Sequence, residues 1–315
     1  MQRVLFHHEA SPGLRARLAA LAGAGLEVAI VPAADRARLA VELPRTEVLW
    51  HVLEPVTEEL LARAPRLRLV QKIGVGVNTI DLEACRVRGI AVCNMPGTNS
   101  RAVAELALGL MLAVLRRIPF LDRATRAGRG WELPEDLPDR VGELGGKRVG
   151  LLGMGAVPRL LAPALAALGA ECVYWNRSVK PDAPARFLPL EELLATSDVV
   201  SLHLPLVPET RGLLSAERIA RMKRGAILIN TARGGLVDER ALLAALERGH
   251  LAGAGLDVFE VEPLPPDHPL LRREEVVATP HLAWLTPETL DRSLSVAVEN
   301  CRRLARGEAL LNRVV

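Results

Sequence analysis

No feature constrains this chain more than the segment Val149-Gly150-Leu151-Leu152-Gly153-Met154-Gly155-Ala156-Val157-Pro158. An apolar run at 147–152 meets a Gly-x-Gly turn, a helix-like segment follows at 157–168, and a second apolar run stands at 172–175. Strand, glycine turn, helix and strand form the unit that cradles a dinucleotide pyrophosphate. Gly153 would permit the tight turn. Gly155 would let backbone N–H groups approach a phosphate at the positive end of the helix. Where the usual fingerprint has a third glycine this chain has Pro158, which a first helical turn tolerates because its missing N–H would be unpaired there. Pro163 lies deeper and predicts a lost hydrogen bond and a bend. A Gly-x-Gly alone also occurs in ligand-free turns; the flanking strand and helix give this one its weight.

The end of the second strand bears on which dinucleotide fits. An NAD-specific site carries Asp or Glu about 20 residues after the turn, on the ribose hydroxyls. Here the matching residues are Asn176, Arg177 and Ser178, with Lys180 nearby and no acid. A carboxylate would repel a 2′-phosphate, whereas a guanidinium and a hydroxyl would bind it. The expected cofactor is NADP(H), with NAD(H) as the alternative if Arg177 is an incidental solvated residue.

At 315 residues, half of them hydrophobic, the chain has material for two domains with sizeable cores. The net charge of +3 is dispersed, with no basic block or tail, so neither nucleic acid nor membrane is an expected partner. Cys85, Cys93, Cys172 and Cys301 form no C-x-x-C pair and no histidine cluster accompanies them. Free thiols in a reducing cytoplasm are expected, and no metal. The N-terminus reads as a strand and not as a signal peptide. The apolar helix candidate 102–115 contains Glu105 and is too short to span a bilayer.

Strand candidates at 4–6, 27–31, 48–51, 69–73 and 91–93 alternate with helical segments at 14–22, 57–64 and 81–87. A second series starts at Lys147, with later strands at 199–202, 226–230, 253–256 and 276–278 and a last helix at 287–305. Two successive βα series predict an α/β chain of two doubly wound, parallel-sheet, Rossmann-like domains joined by a long helix over 100–117. Residues 121–146, with Gly, Pro and Trp131, read as an arm or loop and not as a packed element.

Three strand ends of the second series hold candidate chemistry. Asn230-Thr231-Ala232-Arg233-Gly234-Gly235 presents an arginine, Asp257-Val258-Phe259-Glu260-Val261-Glu262-Pro263 presents acids, and Thr279-Pro280-His281-Leu282-Ala283-Trp284 presents a histidine. Ligands of open α/β sheets bind outside the carboxyl ends of strands, where such groups can converge. Histidine suits proton transfer near neutral pH, a neighbouring carboxylate favours its charged form, and a forked permanent cation suits a carboxylate.

With these motifs in this order, and with Gly74-Val75-Gly76-Val77-Asn78-Thr79-Ile80-Asp81, Asn99-Ser100-Arg101-Ala102-Val103-Ala104-Glu105 and Leu202-His203-Leu204-Pro205-Leu206-Val207-Pro208-Glu209-Thr210, nearly the whole chain resembles the D-isomer-specific 2-hydroxyacid dehydrogenase family. The resemblance implies a discontinuous substrate-binding domain (1–99 plus 286–315), a dinucleotide-binding Rossmann domain (100–285) and an interdomain cleft. It also implies a homodimer built through the long helix and the arm.

By the same resemblance His281 is the acid/base, Glu262 its partner in preference to Glu260, and Arg233 the group that binds the substrate carboxylate and polarises its carbonyl. Ala156, Val157, Thr210, Thr231 and Ala232 would line the cofactor beside Gly153 and Gly155. Asp257 would accept a bond from the nicotinamide amide, or else cap the following turn. Val75 and Gly76 would offer backbone N–H groups to the substrate. Lys72 stands where phosphoglycerate dehydrogenases place a basic residue, or is a solvated lysine. Asn78 replaces an acid common in relatives, which leaves the geometry of its loop open. Trp284 matches the His-x-x-Trp form of glycerate and hydroxypyruvate reductases and would wall the substrate pocket, or pack in the core. The implied activity is hydride transfer between NAD(P)H and a small 2-oxo acid to give a D-2-hydroxy acid, with glyoxylate or hydroxypyruvate as substrate. D-3-phosphoglycerate dehydrogenase and a dinucleotide-sensing, corepressor-like binding protein are the alternatives.

Overall fold

Short runs rich in Val, Ile and Leu alternate with helices along the chain, and in the computed structural model, which describes residues 1–315, every ladder between named strands is parallel. The chain divides into two compact units, Met1–Asn99 with Thr286–Val315, and Ser100–Leu285. The first holds β1 (Gln2–His7), β2 (Leu26–Ile30), β3 (Val48–His51), β4 (Leu69–Lys72) and β5 (Ala91–Cys93) in the order β2-β1-β3-β4-β5. The second holds β6 (Arg148–Leu152), β7 (Glu171–Trp175), β8 (Arg186–Phe187), β9 (Val199–Leu202), β10 (Ile227–Asn230), β11 (Gly253–Leu256) and β12 (Val276–Ala278) in the order β12-β11-β10-β9-β6-β7-β8. Both are doubly wound orders, with reversal between β1 and β3 in one unit and between β6 and β9 in the other.

Strands buried on both faces need apolar residues at successive positions, and the period of two then sends them to opposite cores. Val149, Leu151, Val199, Ile227 and Ile229 join the cluster under helices Ser100–Leu115 and Ala156–Ala167. Leu152, Val200, Leu202 and Leu228 face the other way, toward helices Leu190–Thr196, Ala216–Arg221 and Glu239–Glu247.

The structure departs from the sequence expectation at several places. Helix Arg36–Glu42, capped by the Asp35 side chain, was not expected; it buries none of its residues and so lacks an apolar stripe. The two-residue β8 is too short to leave a periodic signal. Residues 121–146 are not simply a loop, since helices Ile118–Arg126 and Leu137–Arg140 form there, though neither buries a residue. The long helix ends at Leu115, and Arg117 adopts a left-handed φ of 52° that breaks it from the next. Helix Ala156–Ala167 runs on through Pro163, which lies on its exposed face, where water can serve the carbonyl that proline leaves unpaired.

The last helix, Pro287–Arg306, is tied into the first unit by a buried polar knot. Asn300 Nδ2 donates to Gln71 Oε1 (2.6 Å) and to the Leu311 carbonyl (3.1 Å), while Asn300 Oδ1 accepts from the Leu311 N–H at 2.7 Å. Gln71 Nε2 in turn donates to the Lys72 and Cys93 carbonyls. Replacing Asn300 by Ala would strand Gln71 Oε1 and the Leu311 N–H. The expected loss is about 2–4 kcal/mol of stability in denaturant unfolding; a loss under about 0.5 kcal/mol would mean the knot contributes nothing.

Candidate active site

Because every strand of the second unit runs the same way, the loops after β6, β7 and β9 to β12 all leave from one edge of the sheet. At the reversal point Gly153 has φ 106°, and a Cβ there would lie 2.6 Å from the His203 carbonyl oxygen. No side chain but hydrogen fits. A Cβ on Gly155 would meet nothing within 4 Å, so the turn opens outward there. Helix Ala156–Ala167 has no side-chain cap, which leaves the first-turn N–H groups of Ala156 and Val157 for an outside acceptor. Pro158 is buried and has no N–H to lose. Space, unpaired donors and the helix dipole together fit a pyrophosphate.

After β7, Asn176 Nδ2 donates to the Ser178 carbonyl at 3.1 Å, and Arg177 and Ser178 are exposed at the bend. Thr210 is half-buried, its hydroxyl donating to the Pro205 carbonyl (2.7 Å) and accepting from the Val207 N–H (2.9 Å), which closes its own loop. The Thr231 hydroxyl is buried without a hydrogen-bond partner. Ala232 is half-buried.

The arginine, the glutamate and the histidine come together. His281 Nδ1 lies 2.7 Å from Glu262 Oε2. A carboxylate oxygen accepts only, so Nδ1 carries the proton and Nε2 is left to hold or release the second one. Glu262 Oε1 accepts from the Phe259 N–H at 2.9 Å. Burial would raise the Glu262 carboxyl, but the His281 bond and charge, the Phe259 N–H and the Arg233 charge hold it below its ordinary range. Burial lowers the Arg233 guanidinium and the Glu262 charge opposes it; an arginine so placed remains a cation. Glu260 is exposed, and its N–H donates to Glu239 instead.

Two features position these groups. A Cβ on Gly234 would stand 1.9 Å from the Phe259 carbonyl carbon, so only glycine lets the Arg233 loop lie against the loop of Glu262. Asp257 is fully buried: its Oδ1 accepts from Thr279 Oγ1 (2.6 Å) and the Leu282 N–H (2.9 Å), its Oδ2 from the Ala283 N–H (2.9 Å), and its carbonyl from the His281 N–H (2.7 Å). Of the two roles expected for Asp257, the turn cap is the one these bonds perform. His281 has φ 55°, uncommon for a residue other than glycine, and these bonds hold it there. Trp284 is half-buried on the same loop.

In the first unit, Lys72 is 5% exposed and its Nζ donates to the Val52 carbonyl, so the solvated alternative is excluded. The Val75 carbonyl accepts from Asn94 Nδ2 at 2.9 Å, while neither the Val75 nor the Gly76 N–H is engaged by an internal acceptor.

Sequence reasoning missed two residues. Buried Asn230 donates from Nδ2 to the Arg233 carbonyl (2.9 Å) and accepts from the Ala232 N–H (3.0 Å), shaping the arginine turn; an amide ending an apolar strand was the available signal. His203, pushed down to about 3 by burial, lies 2.9 Å from Ser201 Oγ at the reversal point.

Residues 108–283 match the family model described as D-isomer specific 2-hydroxyacid dehydrogenase, NAD binding domain. A glyoxylate reductase of Aeropyrum pernix is 42% identical over 267 residues, 82% of this chain and 80% of that one. A D-3-phosphoglycerate dehydrogenase of Mycobacterium bovis is 40% identical over 291 residues, 91% of this chain but 54% of that one, so the chain spans about half that enzyme's length. The crystal structure of the TT0316 protein of Thermus thermophilus superimposes over the whole of both chains with a TM-score of 0.90 at 43% identity.

Since the Glu262 carboxyl sits below its ordinary value of 4.5 in the folded chain, the stability it contributes is present above that value and is lost as pH falls through the lowered one. The unfolding free-energy difference between the unaltered protein and Glu262→Gln should shrink as pH falls from about 7 to about 3. A difference constant with pH would mean the carboxylate's charge is not what the site stabilises.

Proposed function

The chain belongs to the D-isomer specific 2-hydroxyacid dehydrogenase family, and on that premise we propose that it reduces a small 2-oxo acid to a D-2-hydroxy acid, with glyoxylate or hydroxypyruvate as substrate. The 2.7 Å pair of His281 and Glu262, with the Arg233 charge beside it, carries this reading. Arg233 binds the substrate carboxylate with its fork and draws charge toward the carbonyl oxygen. His281 delivers the Nε2 proton to that oxygen as it becomes an alkoxide, and Glu262 keeps the ring oriented through Nδ1. The bound nicotinamide supplies the hydride. Val75 and Gly76 offer N–H groups to the substrate carboxylate, and Trp284 shapes the pocket around the rest of the molecule.

Gly153, Gly155, Ala156 and Val157 hold the pyrophosphate; Thr210, Thr231 and Ala232 line the nicotinamide side, and Asp257 holds the His281 loop from beneath. Asn176, Arg177 and Ser178 take a 2′-phosphate, so NADP(H) is preferred to NAD(H). A second reading, D-3-phosphoglycerate dehydrogenase, draws on Lys72, whose buried ammonium would meet a phosphate. The four cysteines are unpaired, and burial pushes each thiol up, to about 11 or 12, which keeps them from acting as nucleophiles.

Initial rates with glyoxylate, hydroxypyruvate and 3-phosphohydroxypyruvate, each with NADPH and NADH, test the assignment. Turnover of an unphosphorylated acid with NADPH is expected; preference for the phosphorylated acid with NADH would move the chain to the second reading. In His281→Ala, turnover should fall about 10²–10⁴-fold with dinucleotide affinity nearly unchanged. Equal loss of both would remove its role.

A homodimer through helix Ser100–Leu115 and the following arm accounts for the exposed apolar side chains Ile118, Leu133, Val141 and Trp131, the last 99% exposed. Light scattering should return twice the chain mass, and Trp131→Ser should shift the equilibrium toward the monomer. An unaltered protein that is monomeric at all concentrations would exclude this assembly.

A further inference from the structure

The one tyrosine of the chain, Tyr174, stands on β7 three residues before Arg177, and it takes no part in the chemistry above. Its ring is 1% exposed and meets Phe187 of β8 edge to face, with centroids 5.6 Å apart at 75°. The phenol oxygen accepts from the Lys180 N–H at 2.8 Å and donates to the Lys180 carbonyl at 3.1 Å. Both backbone groups of one residue are thus satisfied by one side chain rooted in the core.

The sheet itself does not hold this segment. β7 and β8 pair only at Val173 with Arg186 and at Tyr174 with Phe187, so residues 176–185 lie outside the ladder. The segment's other hydrogen bonds are two local ones, Asn176 Nδ2 to the Ser178 carbonyl (3.1 Å) and the Ala183 N–H to the Lys180 carbonyl (3.1 Å), and one from helix Ala156–Ala167, Arg159 Nη1 to the Asp182 carbonyl (2.8 Å). Of these, the phenol alone anchors the returning limb of the bend to the strand it leaves. An exposed arginine pays rotamer entropy for every bond it makes, so its preference for a phosphate depends on a backbone that already aims it.

We propose that the Tyr174 phenol is a positioning group for cofactor selectivity: it fixes the Asn176–Ser178 bend and thereby sets discrimination between a dinucleotide 2′-phosphate and a 2′-hydroxyl. This rests on the reading that the bend receives the 2′-phosphate. The pyrophosphate turn hangs from β6 and the catalytic groups from β10 to β12, so the phenol acts on the adenosine end and not on the chemistry.

The test is equilibrium binding of NADPH and NADH, by calorimetry, to the unaltered protein, Tyr174→Phe and Arg177→Ala. Losing the hydroxyl should weaken NADPH about 5-fold, the equivalent of one hydrogen bond, and leave NADH within about 2-fold. Turnover at saturating cofactor should be unchanged. Equal weakening of both dinucleotides, or of neither, overturns the proposal. Arg177→Ala separates it from its premise. If that variant leaves the NADPH/NADH ratio unchanged, the 2′-phosphate reading fails and the proposal with it. If the ratio shifts in Arg177→Ala and not in Tyr174→Phe, only the clamp fails. Should Tyr174→Phe not fold, hydrogen exchange in the unaltered protein decides. The Lys180 amide should exchange at least about 10-fold more slowly than those of Ser178 and Val179, as a bonded group does, and equal rates overturn the clamp.

Discussion

Asp257 is buried at the end of β11 with no exposure to solvent, and a carboxylate in such a place is tolerated only when its oxygens are occupied. They are occupied by the loop that carries His281: a threonine hydroxyl and two successive N–H groups bond the carboxylate, and the His281 N–H bonds the backbone carbonyl. The left-handed backbone of His281 is one that a histidine would not keep unaided. Everything downstream depends on this grip, because the ring's reach toward Glu262 is set by where that backbone stands.

Glu262 lies within the influence of a histidine and an arginine. Its carboxylate is shared between the His281 ring, bonded directly, and the Arg233 guanidinium, felt through charge. Burial alone would drive it toward the neutral acid, and the surrounding donors reverse that tendency. The same carboxylate therefore orients the ring through its Nδ1–H. The close approach of the Arg233 loop to Phe259, possible only at Gly234, brings the guanidinium into this arrangement.

Much of this was legible in the sequence. Strands at 48–51, 91–93, 199–202 and 253–256 have the bounds that their sequence runs predict, because every one of their residues is buried; edge strand 276–278 also matches, though it is only partly buried. The glycine turn was legible because Gly153 occupies a conformation and a contact that leave no room for a side chain. Helix Arg36–Glu42 and strand β8 were not legible: an exposed helix carries no stripe and a two-residue edge strand carries no period. Strand position alone offers both Glu260 and Glu262 as partners for the histidine, and it was the family resemblance, with an acid before proline, that singled out Glu262.

The sequence by itself determined the α/β class, the parallel layering and which strand ends bear chemistry. These follow from the spacing of apolar residues and from the few positions where only glycine or a charged group makes physical sense. The preference for Glu262 over Glu260 came from the family resemblance, and His281 Nδ1 does lie 2.7 Å from Glu262; tertiary structure alone decided which of its two roles Asp257 performs and that Asn230 shapes the arginine turn. It also made Tyr174, which reads as one more aromatic in a strand, the anchor of the bend after β7. Hydrogen bonds act over about 3 Å, and which groups come within that reach is set by how loops fold back across the sheet edge, which no one-dimensional pattern records.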